Sequence, residues 1–409
     1  MADFEKYFKE NEACVPALFA LQEKARALYL KNGLPNAKTE AFKYTNTQNW
    51  LKNFEISTGN GCDEEHCQCH TSVLPFECYE IHICNGKVHT HFDLPEGIEM
   101  IPLLDAVIDH EATKYINKFD LEKFPFAVLN TACLQEGLFV RVEKGFKAQK
   151  PLALIYQTKK NVFSNIHNLW VLKQDAEVCV MEVFEGAQNA AYFINLVNEI
   201  YLGQNGVFSH YKLQDESENA CHIALNVVYA GANSRYVASG LAIGGKIARD
   251  ETHVFLQECS AHATVNGAYK IKNEALVDTT TDIEHLSPCT FSDQKVKGVA
   301  EGRATGVFQG KIHIAPNADK TEGYQIHRAL LLSDEACVNV KPELEIFADD
   351  VKCSHGATSG DIDPEQLFYL KSRGIDEQTA RKLLIKAFLD DVLEKIENLQ
   401  IKEFLQSKI

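Results

Sequence analysis

The sequence has no long apolar run and no excess of cations, and these two absences exclude several classes of protein. No window comes near the roughly 18 uninterrupted apolar residues that a membrane-spanning helix needs. The 409 residues carry a formal net charge of −16, whereas nucleic acids and anionic membrane surfaces attract clustered Lys and Arg. The first residues, MADFEKYFKE, lack the basic and apolar segments of a signal peptide. We therefore expect a cytoplasmic protein that binds neither nucleic acid nor membrane.

The thirteen cysteines are odd in number, and most stand alone in apolar or alternating stretches. In a reducing compartment such a cysteine behaves as a small core residue. This interpretation covers Cys133, Cys179, Cys221, Cys259 and Cys337. Two groups differ, because their cysteines stand close to a histidine.

Hydrophobic periodicity divides the chain into three parts. Residues 1–75 are predicted to be helical and to end in a Gly- and acid-rich linker. In residues 76–350 apolar and polar side chains alternate with a period of two between regular turn signals, which indicates β-strands. Such a β-segment is long for a sandwich, and a solenoid stacks short strands without limit. No strict repeat is visible, so periodicity alone does not establish a solenoid. The stretch Ile101–Phe124 has few turn signals and is either helical or an excursion.

Residues 351–409 are predicted to return to helix. Asp363 and Pro364 are typical of a helix start, and Gly374 of a stop. Asp376 then caps a longer helix whose apolar residues share one face.

A near match to a phosphate loop occurs at Gly240–Ile247. The last position of that motif must be Ser or Thr, whose hydroxyl binds magnesium, and here it is Ile247. No helix is predicted after it. A Gly-rich turn between strands is the better interpretation, and the chain is not expected to hydrolyse nucleotide.

The first group of possible ligands is GCDEEHCQCH at 61–70. Thiolates and imidazoles this close together can bind zinc or an iron–sulfur cluster. The spacing lacks the C-x2-C knuckle of structural zinc sites, so the alternative is a variable surface loop. Its candidate metal ligands are Cys62, Cys67, Cys69 and His70.

The second group is Cys353 and His355. Residues two apart on a strand share a face without necessarily touching, so a nucleophile–base pair is not favoured. A thiol and an imidazole available to sulfur or iron fit the sequence better. The structural alternative is a buried domain junction at which Gly356 turns the chain into the last helices.

The segment from Asp278 onward resembles the SufB/SufD family of iron–sulfur cluster assembly scaffolds. The matching stretches include TTTDIEH at 279–285, FSDQKVKG at 291–298, GVFQG at 306–310, DDVKCSHGAT at 349–358 and QLFY at 366–369. Weaker matches occur at EAFKYT, 40–45, and at Leu129-Asn130. The similarity covers most of the chain and is dense over the last 130 residues, which makes it far more specific than any short motif.

The resemblance implies a mainly β fold, a right-handed parallel β-helix flanked by N- and C-terminal α-helical domains. It also implies a non-catalytic subunit that pairs with a SufB-like subunit through the β-helix and binds the ATPase SufC through the C-terminal helices. No stably bound cofactor is expected, and a transient iron–sulfur cluster would form at the interface with SufB. The shared fold also favours a homodimer of the isolated chain.

Within the family the chain resembles the SufD branch. SufB has an essential cysteine in the segment that corresponds to Pro342–Ile346, where this chain has Ile346. The resemblance gives His355, with Cys353 as its companion, a role in holding the nascent cluster. It makes Leu367, Phe368, Tyr369 and Arg373 candidates for contact with the ATPase, with Phe368 and Tyr369 alternatively packing within the helical domain.

Two further hypotheses come from other classes of protein. One is a metal-binding protein centred on Cys62–His70. The other is a carbohydrate-active β-helix enzyme, although such enzymes are typically exported and no export signal is seen.

Overall fold

The computed structural model describes residues 4–10, 16–56, 74–89, 93–109, 112–159 and 161–409. Strands make up 44% of the chain, so the predicted mainly β class is confirmed. The helices are α1 (Phe4–Glu10), α2 (Pro16–Asn32), α3 (Gln48–Leu51), α4 (Leu103–Ile108), α5 (Pro125–Ala132), α6 (Pro364–Ser372), α7 (Glu377–Leu393) and α8 (Leu399–Gln406).

The first strands are β1 (Tyr79–Cys84), β2 (Lys87–Val88), β3 (Ile98–Pro102), β4 (Leu138–Val142), β5 (Leu152–Thr158), β6 (Phe163–Leu172), β7 (Glu177–Gly186), β8 (Phe193–Leu202), β9 (Val207–Asp215) and β10 (Cys221–Ala230). The remaining strands are β11 (Arg235–Ala242), β12 (Ile247–Leu256), β13 (His262–Ile271), β14 (Leu276–His285), β15 (Phe291–Ala300), β16 (Thr305–Ile314), β17 (Thr321–Leu331), β18 (Cys337–Ile346) and β19 (Val351–Gly360).

The strands form a parallel β-solenoid of about eight turns. From β4 onward the chain alternates between two sheets. Sheet A has the order β19-β17-β15-β13-β11-β9-β7-β5-β1-β2, and sheet B has the order β18-β16-β14-β12-β10-β8-β6-β4-β3. Each coil thus contributes one strand to each sheet, and the predicted β-helix with helices at both chain ends is confirmed.

The coils differ in length, which explains why the sequence shows no strict repeat. Cys221 pairs with Ile247, 26 residues later, whereas Thr305 pairs with Cys337, 32 residues later. The strands themselves remain in parallel register, so the corners absorb the difference. Six consecutive corners from sheet B to sheet A, from the one between β6 and β7 to the one between β16 and β17, each contain a residue of positive φ, between 55° and 60°: Asp175, Asn205, Asn233, Ser260, Cys289 and Lys320.

Helices cover the outer faces of both sheets. The N-terminal helices and α5 pack on sheet B through an apolar cluster that includes Phe4, Phe126 and Phe193. The C-terminal helices pack on sheet A, where Leu389 and Leu393 of α7 share a cluster with Leu241. Asp391 of α7 also bonds Lys295 and Lys297 of β15 at 2.5 and 2.7 Å. These lysines lower the pKa of Asp391 to about 2, mainly by hydrogen bonding.

One segment differs from the sequence-based expectation. The helical tail begins at Pro364 and not at 351, because Val351–Gly360 pairs in parallel with β17 as the last strand. The stretch from 101 to 124, predicted to be helical or an excursion, contains α4 and two short 3₁₀ helices among its described residues. The tail helices start as predicted: the Asp363 carboxylate accepts hydrogen bonds from the Glu365 and Gln366 amides, and that of Asp376 accepts one from the Thr379 amide.

Candidate functional site at the open end of the solenoid

The last coil of the solenoid is uncovered on one side. Among the strands that the structure describes, β18 and β19 are terminal in their sheets and pair only with β16 and β17. Backbone N–H and C=O groups of an edge strand can pair with another chain. We call this region, β18 and β19 with the corner between them, the open end.

The strand register places Cys353 and His355 on the inner face of the open end. Cys353 pairs with Gly323 and His355 with Gln325. Gln325 is only 3% exposed and belongs to the interior of the preceding coil. Residues paired in register lie on the same face of a sheet, so Cys353 and His355 face the solenoid axis. His355 is nevertheless exposed, because no further coil lies above it.

Cys353 is half-buried and packs beside Ile312, Ile314 and Leu344. Burial raises the pKa of its thiol, and a hydrogen bond with the Gly323 backbone partly opposes that rise. The thiol is therefore a weak nucleophile in the isolated chain, since the thiolate is the reactive form. Binding of a metal would require loss of the proton.

The structure excludes the alternative that Gly356 turns the chain into the last helices. Gly356 lies in the middle of β19, paired with Ile326, and the strand continues to Gly360. A Cβ at this position would have only an ordinary contact, 3.8 Å from Cγ1 of Ile326.

Apolar side chains border the open end. Ile346, at the position where SufB proteins have their cysteine by the resemblance above, is 39% exposed, and the neighbouring Phe347 is 61% exposed. Ile346 pairs with Ile314 and so lies on the inner face of sheet B. The open end thus combines unpaired strand edges, exposed apolar groups and two possible ligands for iron or sulfur.

The C-terminal helices place the other predicted contact residues in two environments. No residue of α6 is buried, and Phe368 and Tyr369 are 72% and 56% exposed. Packing within the helical domain therefore does not explain these two aromatic rings. Leu367 is partly buried against the cluster under α7, and Arg373 lies 5.2 Å from the ring centre of Tyr369.

Two other segments carried candidate ligands or a motif in the sequence. Cys62, Cys67, Cys69 and His70 lie outside the described residues. The Gly240–Ile247 segment is the end of β11, a turn and the first residue of β12, as the turn interpretation predicted. In the described ranges no group of three or more Cys, His, Asp or Glu side chains is arranged to hold a metal ion. Nor does any helix in them have the length and apolarity needed to cross a membrane.

Sequence reasoning missed the apolar corner residue Phe347 and the polar interior behind the open end. Gln294, Gln325 and His327 face the axis and are at most 3% exposed. The signal was present, because these side chains alternate with outward-facing residues along β15 and β17. Alternation alone did not say which face was the interior.

Comparison with known proteins agrees with this architecture. The model of the SufBD core domain of the SUF iron–sulfur cluster assembly system matches residues 155–388, and the model of the SufBD N-terminal region matches residues 3–154. The chain belongs to the SufBD family of iron–sulfur cluster assembly proteins.

Individual relatives point to one branch of that family. The iron–sulfur cluster assembly protein SufD of Escherichia coli is 29% identical over 394 residues, which are 93% of this chain and 89% of that protein. SufD of Bacillus subtilis is 25% identical over 322 residues, 77% of this chain and 74% of that protein. A SufBD family protein of Synechocystis is 32% identical over 282 residues, 66% of this chain and 62% of that relative. The predicted likeness to SufD is thereby confirmed.

Proposed function

We propose that this chain is a non-catalytic, cytoplasmic scaffold subunit that pairs with a SufB-like subunit through its open end and binds the ATPase SufC through α6–α8. The observation that carries the proposal is the open end itself, where two candidate ligands lie on the inner face of an uncovered coil. Family membership supplies the context of cluster assembly.

The open end has what a pairing surface needs. Strand edges add main-chain hydrogen bonds when a second strand joins them, and exposed apolar groups such as Ile346 and Phe347 become buried. A subunit that covers this end would enclose His355 and Cys353. A nascent cluster would then be cargo held between two chains, with imidazole and thiolate as ligands from this side.

The helical tail suits a separate contact. The exposed rings of α6 do not belong to the apolar cluster that fixes α7 and α8 on sheet A. Aromatic residues and arginine are enriched among residues that dominate binding energy at interfaces. Phe368, Tyr369 and Arg373 are therefore proposed as the contact with SufC.

Co-expression of this chain with SufB and SufC from the same source tests the proposal. We expect all three chains to co-purify, and the complex to bind an iron–sulfur cluster on reconstitution with iron and sulfide. If the chain associates with neither partner, the scaffold assignment is wrong.

Family membership does not favour the carbohydrate-active enzyme. The metal-binding hypothesis for Cys62–His70 stays a prediction, because that segment lies outside the described residues.

A further inference from the structure

A cationic groove lies between the outer face of sheet A and the tail helices, away from the open end. Its volume is about 860 Å³, and its walls come from β13, the neighbouring corners, α7 and the last residues. We call it the α7 groove. Its cations are Lys270, Lys272, Arg381, Lys382, Lys386 and Lys408.

The charge of the α7 groove is opposite to that of the molecule. Glu301 is the only acidic side chain among its described lining residues, although the chain has a net charge of −16. In the described part of the chain, Lys272 and Lys382 have no acidic side chain within ion-pairing distance, whereas Arg381 lies 3.4 Å from Glu377. Unpaired cations held in a concave surface attract anions.

The cations are close enough to repel one another. Burial lowers the pKa of Lys270, Glu301 opposes that effect, and the charges of Lys382, Lys386 and Lys272 lower it further. Lys270 is anchored by donating to the main-chain oxygen of Ile409 at 2.7 Å, and Lys386 donates to that of Gln406. A bound anion would relieve this repulsion.

The floor of the α7 groove is apolar. Ile243, Ile271, Val299 and Leu332 line it, and Leu383 of α7 is 46% exposed at its side. Ile271 and Val299 are at most 3% exposed. An inorganic ion alone would leave the accessible parts of Ile243, Leu332 and Leu383 uncovered. Ligand pockets of about 300–1,000 Å³ typically combine such apolar walls with a few polar groups that orient the ligand.

We propose that the α7 groove binds a small amphipathic anion, whose apolar body lies on Ile243 and Leu332 and whose phosphate or carboxylate groups face Lys272 and Lys382. Lysine binds both anions as a point charge. The first turn of α7 contributes Gln378 and Thr379 to the lining. The site does not depend on the scaffold function.

Calorimetric titration of the full chain with three compounds of one apolar body tests the proposal. The compounds are 1-naphthyl phosphate, 1-naphthoate and the neutral 1-naphthol. We expect one saturable site that binds at least one of the anions about tenfold or more tightly than 1-naphthol, equivalent to about 1.4 kcal/mol. The tighter anion distinguishes a phosphate ester from a carboxylate as the natural ligand class.

Charge reversal locates the site. The double variant Lys272→Glu/Lys382→Glu should weaken binding of the preferred anion at least tenfold. The control, Lys118→Glu/Lys144→Glu, makes the same change in net charge at exposed lysines elsewhere and should not alter binding. Circular dichroism and the unfolding midpoint verify that both variants are folded.

Three results would overturn the proposal: no saturable binding of either anion, equal affinity for 1-naphthol, or an equal loss in the control variant. Binding of an acidic peptide without binding of either naphthyl anion would also contradict it, and would assign the α7 groove to a protein partner.

Discussion

His355 is the exposed candidate cluster ligand of the open end. Its side chain is exposed on the inner face of β19, where it fills no core volume. His355→Ala should therefore leave the unfolding midpoint unchanged and reduce cluster-dependent enzyme activity in cells that rely on this system. His262→Ala, which removes an exposed histidine of β13, is the control. Normal cluster supply in the His355 variant would remove this residue from the assembly site.

His327 lies deeper in the interior, between aromatic rings. Its ring centre is 6.1 Å from that of Tyr269 and 5.4 Å from that of Phe308. Burial lowers its pKa from 6.5 to about 4, so the native state keeps it neutral where the unfolded chain binds a proton. The native state should therefore lose about 1.4 kcal/mol of stability per pH unit through this group as the pH falls from 6.5 towards 4.

The pH dependence of chemical denaturation measures this effect. His327→Gln should reduce the slope of unfolding free energy against pH by about one proton in that window. His285→Asn is a second test, since burial lowers the pKa of His285 to about 3. An unchanged slope in both variants would show that neither histidine is held neutral in the native state.

A buried ion pair within sheet B also contacts the N-terminal segment. Arg249 and Asp278 are both fully buried and paired, Thr45 donates to the same carboxylate, and the Arg249 guanidinium lies 4.3 Å from the ring centre of Phe42. Removal of one member of such a pair leaves an uncompensated charge and typically costs about 3–5 kcal/mol.

Asp278→Ala should fall towards the lower end of that range, because Glu251 still bonds Arg249 at 2.9 Å. Urea denaturation measures the loss. Glu274→Ala, which removes an exposed acid from the sheet B side of the same solenoid, should change stability little. A comparable loss in both variants would mean that the buried pair contributes nothing specific.

At the scale of elements, α6 is the helix most available to a partner. The double variant Phe368→Ala/Tyr369→Ala should weaken association with SufC about tenfold or more, because exposed aromatic rings are common binding hot spots. Association with SufB should persist, which a pull-down of each partner would show. Leu30→Ala is the control, since this residue is 61% exposed on α2, outside the C-terminal helices. Wild-type affinity for SufC in the α6 variant would remove the rings from the interface.

The helices and strands also show how much of the fold could be predicted from the sequence. Local signals were sufficient for the tail helices, because an Asp side chain satisfies amides only two or three residues away. They were insufficient for Val351–Gly360, whose strand conformation depends on pairing with β17, about 30 residues earlier. Few of its side chains are apolar, because the end of the solenoid gives them little to pack against. The α7 groove was equally hidden, since its cations come from segments more than 100 residues apart.

At the scale of the whole molecule, the open end predicts how the chain associates. Phe347→Lys would place a charge among the exposed apolar groups, so it should weaken pairing with SufB about tenfold or more and abolish any homodimer of the isolated chain. Sedimentation velocity measures both. Ile108→Lys is the control, because Ile108 is 51% exposed on α4, in the N-terminal part of the chain. Loss of association in both variants would show that pairing does not depend on this end.

The left-handed corners affect how the length of such a solenoid can change. Six consecutive turns from sheet B to sheet A contain a left-handed residue, and Asp, Asn, Ser, Cys and Lys all adopt that geometry here, so closure of these turns depends little on side-chain chemistry. Adding or deleting one complete coil would lengthen or shorten the solenoid by one strand spacing, about 4.8 Å. The length of the solenoid can thus vary only in discrete steps of one coil.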